Sequence, residues 1–154
     1  MGIEKYVSEP REIRFPDEQV FGRLANLKNL EKFVSPEKIE EIRQKTGEKG
    51  NFKLEDFMAT EDRCSFKINP LGQVGIEIIE RDPFRTIKFQ GEKSVPFPVT
   101  FWVQLVPLTE NSCKMRLTLH ADMNPMIKMM ADSYLAKGIE KLADLLSGID
   151  YSAG

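Results

Sequence analysis

The chain has 154 residues, of which 41% are hydrophobic and 30% charged, so we expect a single globular domain over residues 1–154. The formal net charge is only −2 and no basic cluster is present, which argues against nucleic-acid binding. No apolar run approaches the ~20 residues that span a bilayer, and no secretory signal is recognisable, so we expect a cytoplasmic protein without membrane insertion.

The first third of the chain predicts one strand and two short helices. An extended pattern over residues 6–15 precedes a helical pattern over residues 16–30, where Asp17 and Glu18 place negative charge at the helix start. A second short helix is predicted over residues 35–47, because a Ser-Pro pair suits its start and a glycine suits the position after its end.

From Gly50 onward the apolar period changes from 3.6 to 2, which is the period of a β-strand. Six alternating segments follow, most of them separated by turn residues. Short turns between such strands predict an antiparallel meander with one buried and one solvent-exposed face. In the last strand Cys113, Met115 and Leu117 share the apolar face, whereas His120 lies on the polar face.

The C-terminal residues 124–149 predict one amphipathic helix of about six turns, long enough to cross the apolar face of such a sheet. Four of the seven methionines lie in or near its first turns. Methionine fills irregular space and is common at promiscuous binding surfaces, which favours a cavity bordered by Met130 and Tyr134. Met126 and Met129 fall outside the apolar sector. They line a cavity mouth, meet a second subunit or precede the true start of the helix.

The order of these elements resembles the helix-grip superfamily, also called SRPBCC or START-like, which includes Bet v 1-like proteins, lipid-transfer domains and polyketide cyclase/dehydratase-like proteins. The segment EIRFPDEQVFGRLANLKNLEKF, residues 12–33, carries the local resemblance. The resemblance implies an α+β fold, in which a curved antiparallel sheet of six or seven strands wraps around the C-terminal helix and leaves a cavity between them. It does not imply one activity, because the fold hosts binding proteins and enzymes alike.

No catalytic or metal-binding motif is recognisable. His120 is the only histidine, and Cys64 and Cys113 lie far apart in the sequence, so we predict no metal site, no cofactor and two reduced, buried cysteines. Glu80 shares strand parity with apolar residues and is a candidate polar group in the cavity, where a raised pKa would suit acid–base chemistry. The alternative is that Glu80 marks the solvent-exposed end of its strand.

The expected ligand-binding residues lie on the apolar face of the sheet and the facing side of the helix. They are Phe66, Ile76, Ile78, Phe89, Phe101, Val103, Met115, Leu117, Met126, Met130, Tyr134 and Gly138. We favour binding or transport of a small hydrophobic molecule (a lipid, an aromatic or a polyketide-like compound) over a cyclase/dehydratase-type enzyme. The enzyme would need convergent polar groups, for which the candidates are Glu80, Tyr134, Arg85 and Asp56. A co-chaperone-like interaction module and a weak homodimer are further alternatives.

Overall fold

A computed structural model describes residues 2–33, 54–68, 72–92, 95 and 97–152. The described strands are β1 (Gly2–Val7), β2 (Arg11–Ile13), β3 (Leu54–Ala59), β4 (Arg63–Ile68), β5 (Gly72–Asp82), β6 (Thr86–Gly91), β7 (Val99–Thr109) and β8 (Ser112–Met123). The described helices are α1 (Asp17–Leu24), α2 (Leu30–Phe33) and α3 (Pro125–Ser147), with a 3-10 turn at Leu27–Asn29. The second short helix predicted over residues 35–47 lies outside the described residues.

The described strands form one antiparallel sheet in the order β1-β8-β7-β6-β5-β4-β3, and β2 also pairs with β8. The sheet has eight strands rather than the six or seven expected, because the first extended segment divides in two before and after Pro10. Proline cannot donate a ladder hydrogen bond, which favours a break at this position. Ser8 bridges the break, since its backbone nitrogen donates to the Leu117 carbonyl at 2.9 Å and its Oγ accepts from the Leu117 nitrogen at 3.0 Å.

Alternate residues of each strand point to an inner face, which packs against α3, or to an outer face. On β8, Cys113, Met115 and Leu117 are completely buried on the inner face. His120 lies on the outer face, where its ring packs edge-on against Trp102 with 4.6 Å between the ring centres. The predicted faces of this strand are therefore confirmed, and the two cysteines of the chain are free and buried, as expected.

The second half of β5 has its faces reversed by a bulge. Ile78 pairs with Phe89 on the inner face, but the register shifts at Ile79, and Glu80 pairs with Lys88 on the outer face. One extra residue in a strand moves every later side chain to the opposite face. Of the two interpretations of Glu80, the polar group of a cavity assumed an unbroken strand and is wrong, and the exposed position of Glu80 agrees with the alternative of a solvent-exposed strand end.

The helix predicted over residues 16–30 is interrupted after Leu24. Asn26 adopts an extended backbone conformation, and its side chain accepts a hydrogen bond from the Lys28 nitrogen at 3.0 Å, which begins the 3-10 turn. Asparagine commonly caps a new helical segment in this way. α1 buries Val20 and Leu24 and packs over β6, β7 and β8.

The 23-residue helix α3 is capped at its start by Asn124 and held at its end by hydrogen bonds of Tyr151. The Asn124 side chain accepts a hydrogen bond from the Ile127 nitrogen at 2.9 Å, and proline occupies the first helical position. Beyond the helix, the fully buried Tyr151 donates its hydroxyl to the Leu146 carbonyl at 2.6 Å. Its own carbonyl accepts from Gln19 of α1 at 2.9 Å, so this tail connects the end of α3 to α1.

Candidate ligand-binding site

The inner face of the sheet is filled to different degrees at its two ends. One end, here called the packed end, consists of side chains that are at most 2% exposed: Ile13, Ile87, Val103, Leu105, Met115 and Leu117. The other, here called the open end, contains larger apolar side chains that remain only partly buried, beside inner-face neighbours that are buried (Val74, Ala121 and Met123). The partly buried side chains are Phe57, Phe66, Ile76, Val99, Phe101 and Leu119. Protein interiors are normally packed as densely as organic crystals. Partial exposure on an inner face therefore indicates that sheet and helix do not close completely over the open end.

The burial of α3 changes along its length in the same way. Ile139, Ala143 and Leu146, all in the C-terminal half, are buried in the core. No residue from Pro125 to Gly138 is buried. In that half the core contacts come from partly buried side chains, namely Ile127, Ala131 and Leu135. The N-terminal half of α3 thus approaches the sheet without sealing it.

Polar contacts attach the N-terminal half of α3 to the edge strand β1. Lys128 Nζ lies 3.0 Å from Glu4 Oε1, and the Tyr6 hydroxyl donates to Asp132 Oδ1 at 2.7 Å. Tyr6 pairs with Leu119 of the open end in the sheet register. This half of α3 therefore borders the open end.

A second set of polar contacts attaches the C-terminal half of α3 to β2. Arg11 Nε donates to Asp144 Oδ1 at 2.9 Å, and Arg11 Nη2 donates to Glu140 Oε1 at 3.0 Å. Arg11 pairs with Met115, so these contacts lie beside the packed end. The residues of both sets form what we call the polar seam: Glu4, Tyr6, Arg11, Lys128, Asp132, Glu140 and Asp144.

Two tyrosines, Tyr6 on β1 and Tyr134 on the N-terminal half of α3, have raised pKa values. Burial raises the pKa of Tyr6, and the hydrogen bond to Asp132 raises it further. Burial also raises the pKa of Tyr134, which lies on the N-terminal half of α3 and is 36% exposed. Both side chains are therefore neutral phenols at physiological pH.

A second bulge shapes the open end at β3. The register shifts between Glu55 and Met58, and Asp56 adopts a left-handed backbone conformation with a φ of +53°. Phe57 consequently stacks on Phe66, with ring centres 6.4 Å apart and planes 15° from parallel. Sequence alternation did not identify Phe57, because a bulge breaks the period on which such reasoning depends. The one sequence signal for this bulge was Asp56 itself, because aspartate is one of the few residue types that tolerate a left-handed backbone conformation.

The predicted ligand-binding residues of the sheet divide between the two ends. Three of them lie at the open end: Phe66, Ile76 and Phe101. Two are buried in the core: Ile78 and Phe89. The other three belong to the packed end and must be corrected to ordinary core residues: Val103, Met115 and Leu117. Their parity was predicted correctly, but parity alone does not tell which end of a face is covered by other elements.

The methionines of α3 point away from the sheet. The helix begins at Pro125, so Met126 and Met129 lie inside it rather than before its start. Met126, Met129 and Met130 are 73%, 86% and 81% exposed. The expectation that Met126 and Met130 line the site is therefore wrong, since the opposite side of the helix packs on the core. Gly138 is partly buried, and a Cβ added there would meet no atom within 4 Å.

The polar groups considered for catalysis do not lie together. Glu80 is on the outer face, Asp56 is in the β3 bulge and Tyr134 is on α3. Arg85 Nη1 donates to Asp17 Oδ2 at 2.9 Å, an ion pair at the start of α1. Within the described part of the chain, no group of three or more His, Cys, Asp or Glu side chains is arranged to hold a metal ion. In the same residues, no helix is long and apolar enough to cross a membrane.

Solved structures with similar backbones identify the fold. Norcoclaurine synthase from Thalictrum flavum superimposes with a TM-score of 0.66 at 13% identity, over 95% of this chain and 85% of that chain. A START superfamily protein from Mycobacterium smegmatis gives a TM-score of 0.60 at 12% identity, over 95% and 94%. This chain has a START-like helix-grip fold. The di-domain ARO/CYC protein BexL also matches, with a TM-score of 0.60 at 16% identity, over 96% of this chain and 45% of that one.

The similarity of the backbones establishes the START-like fold, but at identities this low it establishes no activity. No protein-family model matches the sequence, and no curated protein matches it either. The predicted α+β helix-grip architecture is confirmed, with the long C-terminal helix packed on an antiparallel sheet.

Proposed function

We propose that the protein binds a small apolar molecule in the space between the open end of the sheet and the N-terminal half of α3. One observation carries the proposal: side chains of the same inner face are partly exposed at the open end but at most 2% exposed at the packed end. A chain that needed only a solid core would be expected to fill both ends equally.

The chemistry of the open end supports this proposal. Phe57, Phe66 and Phe101 contribute aromatic surface, and the hydroxyl of Tyr134 lies on the helix that faces them. Predominantly apolar walls with a few placed polar groups are typical of sites for small molecules. Norcoclaurine synthase from Thalictrum flavum, whose backbone matches with a TM-score of 0.62 at 11% identity, has been crystallised with dopamine and hydroxybenzaldehyde, so a related fold accommodates small ring compounds.

Two other functions find less support. A cyclase- or dehydratase-type enzyme would need polar groups that converge on one guest, and the four candidates lie on different elements and faces. An interaction module would need a continuous apolar patch on the outer face. Trp102, the main candidate there, packs against His120 and has Lys88 Nζ at 5.6 Å from its ring centre.

A fluorescence titration with the neutral dye N-phenyl-1-naphthylamine tests the proposal. Ile76→Trp fills the open end and should weaken dye binding by about tenfold or more, which corresponds to ~1.4 kcal/mol. Val106→Trp adds the same ring at a 59% exposed outer position and should leave the dissociation constant unchanged. Absence of dye binding, or equal affinity in both variants, would contradict the proposal. Native mass spectrometry of the purified protein is a separate measurement that would identify a molecule retained in the site.

A further inference from the structure

We propose that the ligand of this site is uncharged and that the site discriminates against anions, including the carboxylate forms of fatty or aromatic acids. This inference rests on the proposed function, since it concerns the same space between the open end and α3. Two independent observations support it: the composition of the inner face at the open end and the charge of the polar seam.

Among the residues that the structure describes, the inner face of the open end offers an anion no positive charge. The sheet register places apolar side chains at its inward positions, which are Phe66, Ile76, Val99, Phe101 and Leu119. Arg81 of β5 follows the bulge and points to the inner side of the sheet. Its guanidinium group already contacts Asp62 at 2.6 Å and donates to the Ala25 carbonyl at 2.9 Å. An ionised group buried without a counter-charge loses its hydration and gains little in return.

The polar seam adds negative charge along one side of the same space. It contains four carboxylates (Glu4, Asp132, Glu140 and Asp144) and two cations (Arg11 and Lys128), and two minus four gives −2. The part that borders the open end contains Glu4, Asp132 and Lys128, with a net charge of −1. Its one cation already contacts Glu4 at 3.0 Å. An entering anion would therefore be repelled by two carboxylates while competing for a lysine that is already paired.

The hydrogen-bond donor nearest to these charges is also engaged. The Tyr6 hydroxyl donates its proton to Asp132 at 2.7 Å, so it is not available to an incoming carboxylate or sulfonate. A neutral guest faces no comparable penalty, because apolar contact with the aromatic walls requires no counter-charge. The same scaffold with and without a negative charge should therefore bind with different affinity.

Two dyes provide this comparison, since 8-anilino-1-naphthalenesulfonate is N-phenyl-1-naphthylamine with an added sulfonate. We expect the sulfonate to bind at least about tenfold more weakly than the neutral dye, because an uncompensated buried charge costs more than the ~1.4 kcal/mol of a tenfold change. The same titrations of Ile76→Trp, in which the open end is filled, separate binding at this site from binding elsewhere on the surface.

Charge variants then test the cause of the discrimination. In Glu4→Gln/Asp132→Asn the ratio of the two dissociation constants should fall severalfold, because both carboxylates that border the open end are then neutral. Glu110→Gln, on the exposed turn after β7, removes one negative charge elsewhere and should leave the ratio unchanged. Retained affinity for the neutral dye also shows that the double variant is folded.

The possible outcomes distinguish this inference from the proposed function. If both dyes bind at the open end with equal affinity, or the sulfonate binds more tightly, the inference is overturned and the proposed function stands. A ratio that does not respond to the double variant also overturns it, because the seam would then not be the source of selectivity. If neither dye binds, the proposed function itself is contradicted.

Discussion

Phe84 has a backbone conformation that bulky residues rarely adopt. It follows Pro83 in the turn from β5 to β6, where the Arg85 nitrogen donates to the Asp82 carbonyl at 3.0 Å, and its φ is +67°. Glycine normally occupies such a position, because the left-handed region costs other residues about 1–2 kcal/mol. The ring of Phe84 packs edge-on against Phe21 of α1, with 5.8 Å between ring centres. The aromatic contact offsets the backbone strain.

Two substitutions of Phe84 separate the strain from the contact. Phe84→Ala loses the ring and keeps the strain, so it should lower the free energy of unfolding by about 1–2 kcal/mol. Phe84→Gly loses the same ring but relieves the strain, so it should be more stable than the alanine variant by about 1 kcal/mol. Urea unfolding of both variants measures the difference. At an ordinary position glycine would be the less stable of the two, and that order would contradict the argument.

The buried thiols make stability depend on pH in the alkaline range. Burial raises the pKa of Cys64 from 9.0 to about 12 and that of Cys113 from 9.0 to about 11. Between these values the unfolded chain has released the thiol protons while the native protein retains them. The unfolded state therefore binds fewer protons, and stability is present in full below pH 9 and falls as the pH rises.

We expect the free energy of unfolding to decrease by up to about 1.4 kcal/mol per pH unit for each thiol once its unfolded form ionises. The measurement is urea unfolding at several pH values between about 8 and 9.5, where the thiols of the unfolded chain ionise ahead of its tyrosines, whose usual pKa is about 10. The Cys64→Ala/Cys113→Ala variant should show a shallower dependence. An unchanged slope in that variant would mean that other groups cause the alkaline loss.

At the scale of elements, the period of the sequence predicted the kind of each element better than the direction of particular side chains. The 3.6-residue period predicted an amphipathic helix at this point, and α3 does pack on the core along one side, with Leu135 and Leu142 among the contacting residues. Met130 was assigned to the site because methionine is pliable, and only Met126 and Met129 were placed outside the apolar sector. The 81% exposure of Met130 shows that it belongs with these two on the solvent-exposed side of the helix.

Bulges are the elements that sequence alternation missed. The alternating pattern over β5 predicted Glu80 as the next inward residue after Ile78. In the structure Ile79 is the extra residue of a bulge, and Glu80 points to the outer face. The signal was present in the doublet Ile78-Ile79, since two adjacent apolar residues do not fit strict alternation. No corresponding signal in the first segment predicted that Tyr6 would join α3 through Asp132, because contacts between distant segments leave no period.

A mid-helix glycine gives a test of packing at this scale. A Cβ at Gly138 would meet no atom within 4 Å, so Gly138→Ala should gain helix propensity without a clash. We expect the free energy of unfolding to rise by up to about 1 kcal/mol, which chemical denaturation can measure. Gly91→Ala is the control, because its Cβ would overlap the Val99 side chain. That variant should lose about 1–3 kcal/mol. A destabilised Gly138→Ala would indicate that the space beside α3 is filled.

At the scale of the whole molecule, stability and the proposed binding are separated along one inner face. The packed end is covered by α1, the C-terminal half of α3 and Tyr151, which is completely buried. The open end is bordered by the half of α3 in which no residue is buried. The sequence predicted this sheet and helix and their apolar faces. It could not predict which end would stay open, because that depends on where α1 and the C-terminal tail pack in three dimensions.

Replacing isoleucine by alanine should therefore mainly lower stability at the packed end and mainly change dye affinity at the open end. Ile76 and Ile87 lie on the same inner face, but Ile76 is partly buried at the open end and Ile87 is completely buried at the packed end. Ile87→Ala should lower the free energy of unfolding by about 2–5 kcal/mol, as expected for a cavity in a tight core, and leave the affinity for N-phenyl-1-naphthylamine unchanged. Ile76→Ala removes a side chain with fewer neighbours, so it should cost less than about 2 kcal/mol while changing that affinity measurably. Urea unfolding and dye titration of the two variants provide both numbers. If the two losses of stability are equal and neither variant alters dye binding, the inner face is a uniform core and the open end is not a site.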